Sequence, residues 1–331
     1  MPAASRFRAC AIALAAVAAS AIAGCAGAPR FDETPRRSIE LDDVPFYPQT
    51  AFQCGPASLA TVLAYEGLAI TPDELAPAVY VEGLRGSLQA ELLAATRRHG
   101  LIPYPLEPDA RALFAEVESG KPVLVLQNLG IDRFPVWHYA VVVGFDAERD
   151  RVVLRSGKHR RRQERLGQFL KSWERGGNWA FVAAPAAEPP ATATADGWIR
   201  AITDARRVLP PDAVDAAFAA ARARWPADPL VLFAAAVHEG SIGRPDFAAR
   251  DYRALLEIDP EHAAARNNLA HLLADDGCIA DALREARRAL ETLGGESPLR
   301  PAIEDTVVTL TGLLNVNGQE PEHCAAPGGS G

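Results

Sequence analysis

The 331-residue sequence predicts an α+β domain followed by an all-α domain of helical repeats. Three observations carry that reading. Between residues 41 and 184 helical patterns come first and short valine-rich runs follow, so helices and strands are segregated, not alternating. At 183–197 the stretch AAPAAEPPATATADG is a Pro/Ala/Thr linker with little to bury. Beyond it the chain is apolar at helical spacing and repeats itself. With 49% apolar residues, both parts have material for a core.

The first 24 residues read as a signal peptide. Arg6 and Arg8 form a positive start, and ACAIALAAVAASAIAG is too short and too alanine-rich for a membrane span. IAGC, ending at Cys25, resembles the lipobox of bacterial lipoproteins. That resemblance implies acylation of Cys25, a membrane anchor whose strength grows by about 0.8 kcal/mol per buried methylene. An unlipidated secretory signal is the alternative. Ala26, not Asp, follows, which by the same resemblance implies the outer membrane, facing the periplasm. Residues 25–40 read as a polar tether.

Net charge is -8, which argues against a nucleic-acid partner. Of five cysteines, Cys10 leaves with the signal and Cys25 carries lipid. Export implies an oxidising compartment, in which Cys278 and Cys324 could pair and Cys54 is the odd thiol. The sequence leaves that pairing open.

Within 41–184, Thr71-Pro72-Asp73-Glu74 is a capping box with proline at the first helical position. SLQAELLAATRRHG is expected to start at a Ser87 cap and stop at Gly100, and DARALFAEVESG to run from Asp109 to Gly120. PVLVLQNL, HYAVVVGFD, RVVLRSG and NWAFVAAP read as antiparallel strands. KHRRRQER, 158–165, reads as a solvated basic loop, or as a rim attracting acidic peptide or anionic headgroups.

Past the linker (185–197), residues 198–322 form the helical domain. Two segments beginning at LVLFAAAVHEG and RNNLAHLLADDG align at an offset of 34, with Ala236 on Ala270, Ala248 on Ala282 and Tyr252 on Ala286. The period, with EIDP closing one unit, resembles the tetratricopeptide repeat and implies a surface for a protein partner. Helices at about 198–224 and 300–315 are expected to cap the stack.

The candidate chemistry centres on FYPQTAFQCGPASLATVLAYEG. Cys54 opens a helix, where free N–H groups and the macrodipole favour an anion and are expected to lower the thiol's pKa. A nucleophile also needs a base and an oxyanion donor. His138, opening HYAVVVGF, fits the first role, and the Gln49 side chain with the Cys54 amide fits the second. Gln53 is a weaker donor candidate.

Together YPQTAFQCGPASLATVLAYEG, GKPVLVLQ and WHYAVVVGFD resemble the papain-fold cysteine peptidases grouped with the double-glycine leader peptidases that trim bacteriocin precursors. The resemblance implies Cys54 as nucleophile, His138 as general base and acid, and Gln49 as oxyanion-hole donor. Two departures stand out. Gln49 precedes Cys54 by five residues, one fewer than usual, and the position of the family's acid is Ser156. Serine can orient the imidazole but lacks the charge that stabilises imidazolium. Asn178 is another candidate orienter, and Asp146 lies too far along its strand.

No cofactor or metal is expected. His262 and His271, nine apart, fall on opposite faces of one helix, and there is no Gly-rich Lys-Ser/Thr phosphate loop. The reading is a lipid-anchored cysteine peptidase acting on peptide or protein substrate. The alternatives are a weak or inactive peptide-binding relative and an envelope assembly factor acting through its repeats.

Overall fold

In a computed structural model of the protein, residues 37–49, 53–294, 296–317 and 324 are described. The expected signal peptide, the lipidated Cys25 and the tether as far as residue 36 lie outside the described residues.

Helix α1 (Cys54–Tyr65) is buried from Gly55 to Leu63, as a helix apolar on all sides must be. Helix α2 (Pro72–Val79) begins at the expected capping box. The Thr71 N–H donates to Glu74 Oε2 at 2.8 Å, and the Glu74 N–H to Thr71 Oγ1 at 3.4 Å. Helix α3 (Gln89–Arg98) corrects the sequence reading, because its N-cap is Leu88 and Ser87 caps nothing. Ser87 belongs to strand β3 (Gly86–Ser87), paired with β2 (Tyr80–Val81). Its side chain lies against α1: a Cβ on Gly55 would come within 2.2 Å of Ser87 Oγ. Helix α4 (Ala110–Glu118) starts where expected, with Asp109 accepting from the Arg111 N–H at 3.0 Å.

A seven-stranded antiparallel sheet forms the centre. Its order is β4 (Ile102–Pro105), β9 (Ala180–Ala184), β5 (Val123–Asn128), β6 (Trp137–Asp146), β7 (Arg151–Ser156) and β8 (His159–Arg165), with β1 (Ile39–Glu40) also pairing β6. Residues 39–40, read as tether, are therefore part of the sheet. The basic run read as a loop is a strand: β8 pairs along β7 from Arg151↔Arg165 to Ser156↔His159. It holds through backbone hydrogen bonds and has no apolar face for a pattern to show.

Alternation along β6 gives the sheet two buried faces. Tyr139, Val141 and Val143 pack under α1 with Leu59, Leu63 and Leu92. Ala140 and Val142 face the opposite layer, built from α4 and from α5 (Leu166–Arg175). Helix α5, for which the sequence reading had no helix, buries Leu166, Phe169, Leu170 and Trp173, a single stripe at helical spacing. After it the chain passes so close to β5 that a Cβ on Gly176 would lie 2.1 Å from the Leu126 carbonyl oxygen.

The remaining helices are α6 (Ala195–Ala205), α7 (Pro211–Arg224), α8 (Pro229–Ser241), α9 (Pro245–Ile258), α10 (Ala263–Asp275), α11 (Ile279–Thr292) and α12 (Arg300–Asn317). The pairs α8/α9 and α10/α11 start 34 residues apart, at Pro229 and Ala263 and again at Pro245 and Ile279. Ala236, Ala248, Ala270, Ala282 and Ala286 are fully buried between them. Cys278, just before α11, is disulfide-bonded to Cys324. Arg222 of α7 bridges Glu239 of α8 (2.9 Å) and Asp251 of α9 (2.8 Å), both acids almost wholly buried.

The segment expected to act as a free linker is docked. Buried Glu116 of α4 accepts from the Thr192 N–H and Oγ1, both at 2.6 Å, and from the Ala191 N–H at 3.3 Å. Immediately beyond, fully buried Trp198 joins one continuous core that runs from the sheet through α4 and α5 to α6, α7 and the start of α8.

Candidate active site

Cys54 is the first residue of α1 and the one free thiol among the described residues. His138 is the second residue of β6, cross-strand partner of Gln127 on β5. Tyr139, the next residue, faces α1 and donates its hydroxyl to the Ser87 carbonyl at 3.0 Å. Tyr139 shares the core under α1 with Cys54, and its backbone helps to offset the cost of burying the thiol. The His138 ring is directed instead to Ser156, with Arg162 and Glu164 of β8 close by. The structure thus sets Cys54 and His138 on packed elements, α1 and β6, at the same end of the domain.

The imidazole is held from its far side. His138 Nε2 lies 2.8 Å from Ser156 Oγ, and Ser156, the last residue of β7, is buried. Neither other orienter takes that place. Asn178 sits in a left-handed turn after α5 and lines a separate cavity with Asp109 and Asp150. Asp146, at the opposite end of β6, is paired with Arg149. Gln49 is tied to the same corner by its backbone, its N–H donating to the carbonyl of Gly157 at 2.9 Å. Gln53 is the N-cap residue of α1, and its carbonyl accepts from the Ala57 N–H. Residues 50–52, between the two glutamines, lie outside the described residues.

The electrostatics differ from the sequence expectation. Burial pushes the Cys54 thiol up from its ordinary range, and the N–H groups of Tyr139, Gly55 and Cys54 only partly offset this. Desolvation outweighs the helix terminus. Burial likewise pushes His138 below the usual imidazole range. Arg162 of β8 adds to that shift, and Glu164 opposes it. Both desolvations favour the uncharged form of the group, a neutral thiol and a neutral imidazole.

Three groups escaped the sequence reading. The Tyr139 amide is a backbone donor with no residue-type signature. Gln127, fully buried, donates to Ser172 Oγ at 2.8 Å and Glu164 Oε2 at 3.2 Å, while its own Oε1 is unpartnered. Glu164, inside a run of arginines, is the acid that acts on His138. Beside the histidine, the hairpin joining β5 and β6 exposes Ile131, Phe134, Val136 and Trp137.

Residues 41–181 match the model of the Peptidase_C39 like family. This segment is similar to C39-like peptidases. The matched segment starts just after β1 and ends within β9, so it contains α1, strands β2 to β8 and every candidate active-site residue. No curated protein matches the chain. Solved structures similar to it include a protein of Bacillus anthracis described as a C39-like peptidase, at 18% identity and TM-score 0.38, covering 45% of this chain and 98% of that one. The peptidase domain of Streptococcus ComA, a bi-functional ABC transporter, matches at 19% identity and TM-score 0.35, covering 43% and 98%. The Sgt2 TPR domain of Aspergillus fumigatus matches at 17% identity and TM-score 0.34, covering 43% and 94%. A helical region, α6 to α12, follows the matched segment.

Proposed function

We propose that the C39-like domain is a cysteine peptidase in which Cys54 is the nucleophile and His138 the general base and acid. The observation that carries this is the bond that holds His138 Nε2 to Ser156, on a strand whose next residue, Tyr139, shares a core with Cys54. Nδ1, the ring nitrogen nearer the backbone, is then the one left to exchange a proton with sulfur. As sulfur bonds to the substrate's carbonyl carbon, its proton passes to Nδ1. The oxyanion is stabilised by the Cys54 amide and the Gln49 side chain. Collapse breaks the C–N bond, and the amine leaves with the proton from His138. A water then gives a proton to His138 and its oxygen to the thioester, releasing acid and regenerating the thiol.

Because sulfur and ring both start neutral, proton transfer accompanies attack instead of preceding it. Ser156 fixes ring orientation, and Glu164 contributes the negative charge nearest the imidazole. The exposed hairpin residues Ile131, Phe134 and Trp137 offer apolar contact to a peptide lying across the site. Cys25 is the lipid anchor in this reading, holding the protein at the outer membrane toward the periplasm, and the repeats receive a protein partner.

Iodoacetamide labelling of Cys54 across pH tests the proposal. His138→Ala is expected to reduce labelling near pH 7 by on the order of 10²-fold, the usual worth of a general base. Labelling indifferent to that substitution would falsify it. The elevated thiol pKa and the uncharged Ser156 support a second reading, a peptide-binding domain without turnover. Cleavage that disappears in Cys54→Ala rules that reading out.

A further inference from the structure

Behind His138, between β8 and α5, lies a cavity of about 760 Å³. Its walls carry Arg151, Arg161, Arg162, Arg165, Lys171 and Arg175 against a single acid, Glu164. This concentration of cations occurs in a chain whose net charge is -8. Two of the six are already engaged: Arg161 with Glu40 at 2.8 Å, and Arg162 with Glu164 at 2.7 Å. Arg175 donates to the carbonyl of Asn128. Among the described residues, Arg151, Arg165 and Lys171 have no carboxylate partner. Like charges gathered in a concavity repel one another and focus a positive potential, which a bound anion relieves.

Two further features say what kind of anion. Among the described residues β8 pairs only with β7, so its outer edge offers backbone groups along the cleft. An extended peptide adds to such an edge through main-chain hydrogen bonds. The wall of the cleft also reaches the groups around His138. Glu164 and Ser172, on its wall, both bond Gln127, the cross-strand partner of His138. We infer that this cleft binds an acidic, extended segment of the polypeptide substrate and delivers the adjoining residues to Cys54. The inference rests on the peptidase reading for the word substrate. A recess closed on one side by α5 suits a strand better than a flat bilayer. The plainer role of charge on an edge strand, to prevent aggregation, needs no ligand.

The test uses the full chain carrying Cys54→Ala, so that binding is measured without turnover. The probe is a fluorescein-labelled decapeptide alternating Glu and Ala, with its Gln/Ala counterpart as control. The acidic peptide is expected to bind, to weaken at least tenfold in R165Q/K171Q, and to be released by added salt. R284Q/R287Q, the same charge change on α11, is expected to leave binding unaltered. The inference is overturned if the acidic peptide does not bind, if the Gln peptide binds equally, or if R165Q/K171Q has no effect. It is also overturned if vesicles of phosphatidylglycerol in phosphatidylcholine bind through Arg165 and Lys171 while the peptide does not. Cys54-dependent cleavage of neutral peptides by the wild type separates the two ideas. Cleavage without acidic binding leaves the peptidase and removes the cleft. Binding without any cleavage does the reverse.

Discussion

His138 Nε2 and Ser156 Oγ stand 2.8 Å apart, the serine holding the place where the family pattern has an acid. A hydroxyl gives direction to the ring without charge. Ser156→Ala removes one hydrogen bond of about 1 kcal/mol, so Cys54-dependent hydrolysis should fall roughly fivefold in kcat with little change in KM. Ser156→Asp places a negative charge beside the ring and raises the pKa of His138. Its acidic limb in a pH–rate profile should move to higher pH, with activity above wild type beyond that limb. No shift in the aspartate variant would mean that the contact is structural only.

Arg162 and Glu164 pull His138 in opposite directions. Glu164→Gln leaves the arginine unopposed, so the imidazole sheds its proton more readily. The base-competent neutral form then persists to lower pH, and the acidic limb should shift down. Arg162→Gln should shift it up. Opposite shifts of the two variants, read from pH-dependent alkylation of Cys54, are the expected signature. Displacement in the same direction would point to general damage to β8.

With Cys10 and Cys25 changed to Ser, the oxidised protein should present one reactive thiol, Cys54, because Cys278 and Cys324 are joined. Their bridge spans a sequence separation of 46 residues, worth about 4 kcal/mol on the loop-entropy scale. Reduction should lower the Tm of the helical region and expose two more thiols to Ellman's reagent. Three thiols before reduction would refute the pairing.

Arg222 neutralises two acids buried on neighbouring helices, Glu239 and Asp251. Arg222→Ala leaves both short of positive charge. The cost should be about 3 kcal/mol, near the lower end for a broken buried pair, because Arg244 and Arg250 still contact the acids. Urea denaturation measures it, and a change below about 1 kcal/mol would contradict the arrangement.

Much of this was legible where a local rule governs. The Thr71 box, the Asp109 cap, the valine-rich strands and the 34-residue period each rest on short-range physics, and each has its counterpart in the structure. Ser87 failed because it sits in a two-residue strand against Gly55, a contact set by tertiary packing. Strand β8 was missed because HRRRQER lacks an apolar face and is held by its backbone. The thiol's pKa was misjudged because a helix start is visible in sequence and the depth of burial is not. Glu164 and Gln127 had no signature, since their relation to His138 is created only when β5, β6 and β8 align.

The clamp of Glu116 on Thr192 bears on how the molecule is made and handled. Synthesis runs from the amino end, so the core that α4 and α5 begin behind the sheet stays incomplete until the tryptophan at 198 and the two helices after it arrive. The N-terminal half thus completes its folding late, and severing the chain near residue 190 would strip away a wall, not an appendage. Any attempt to assign separate duties to the halves by truncation will report misfolding first.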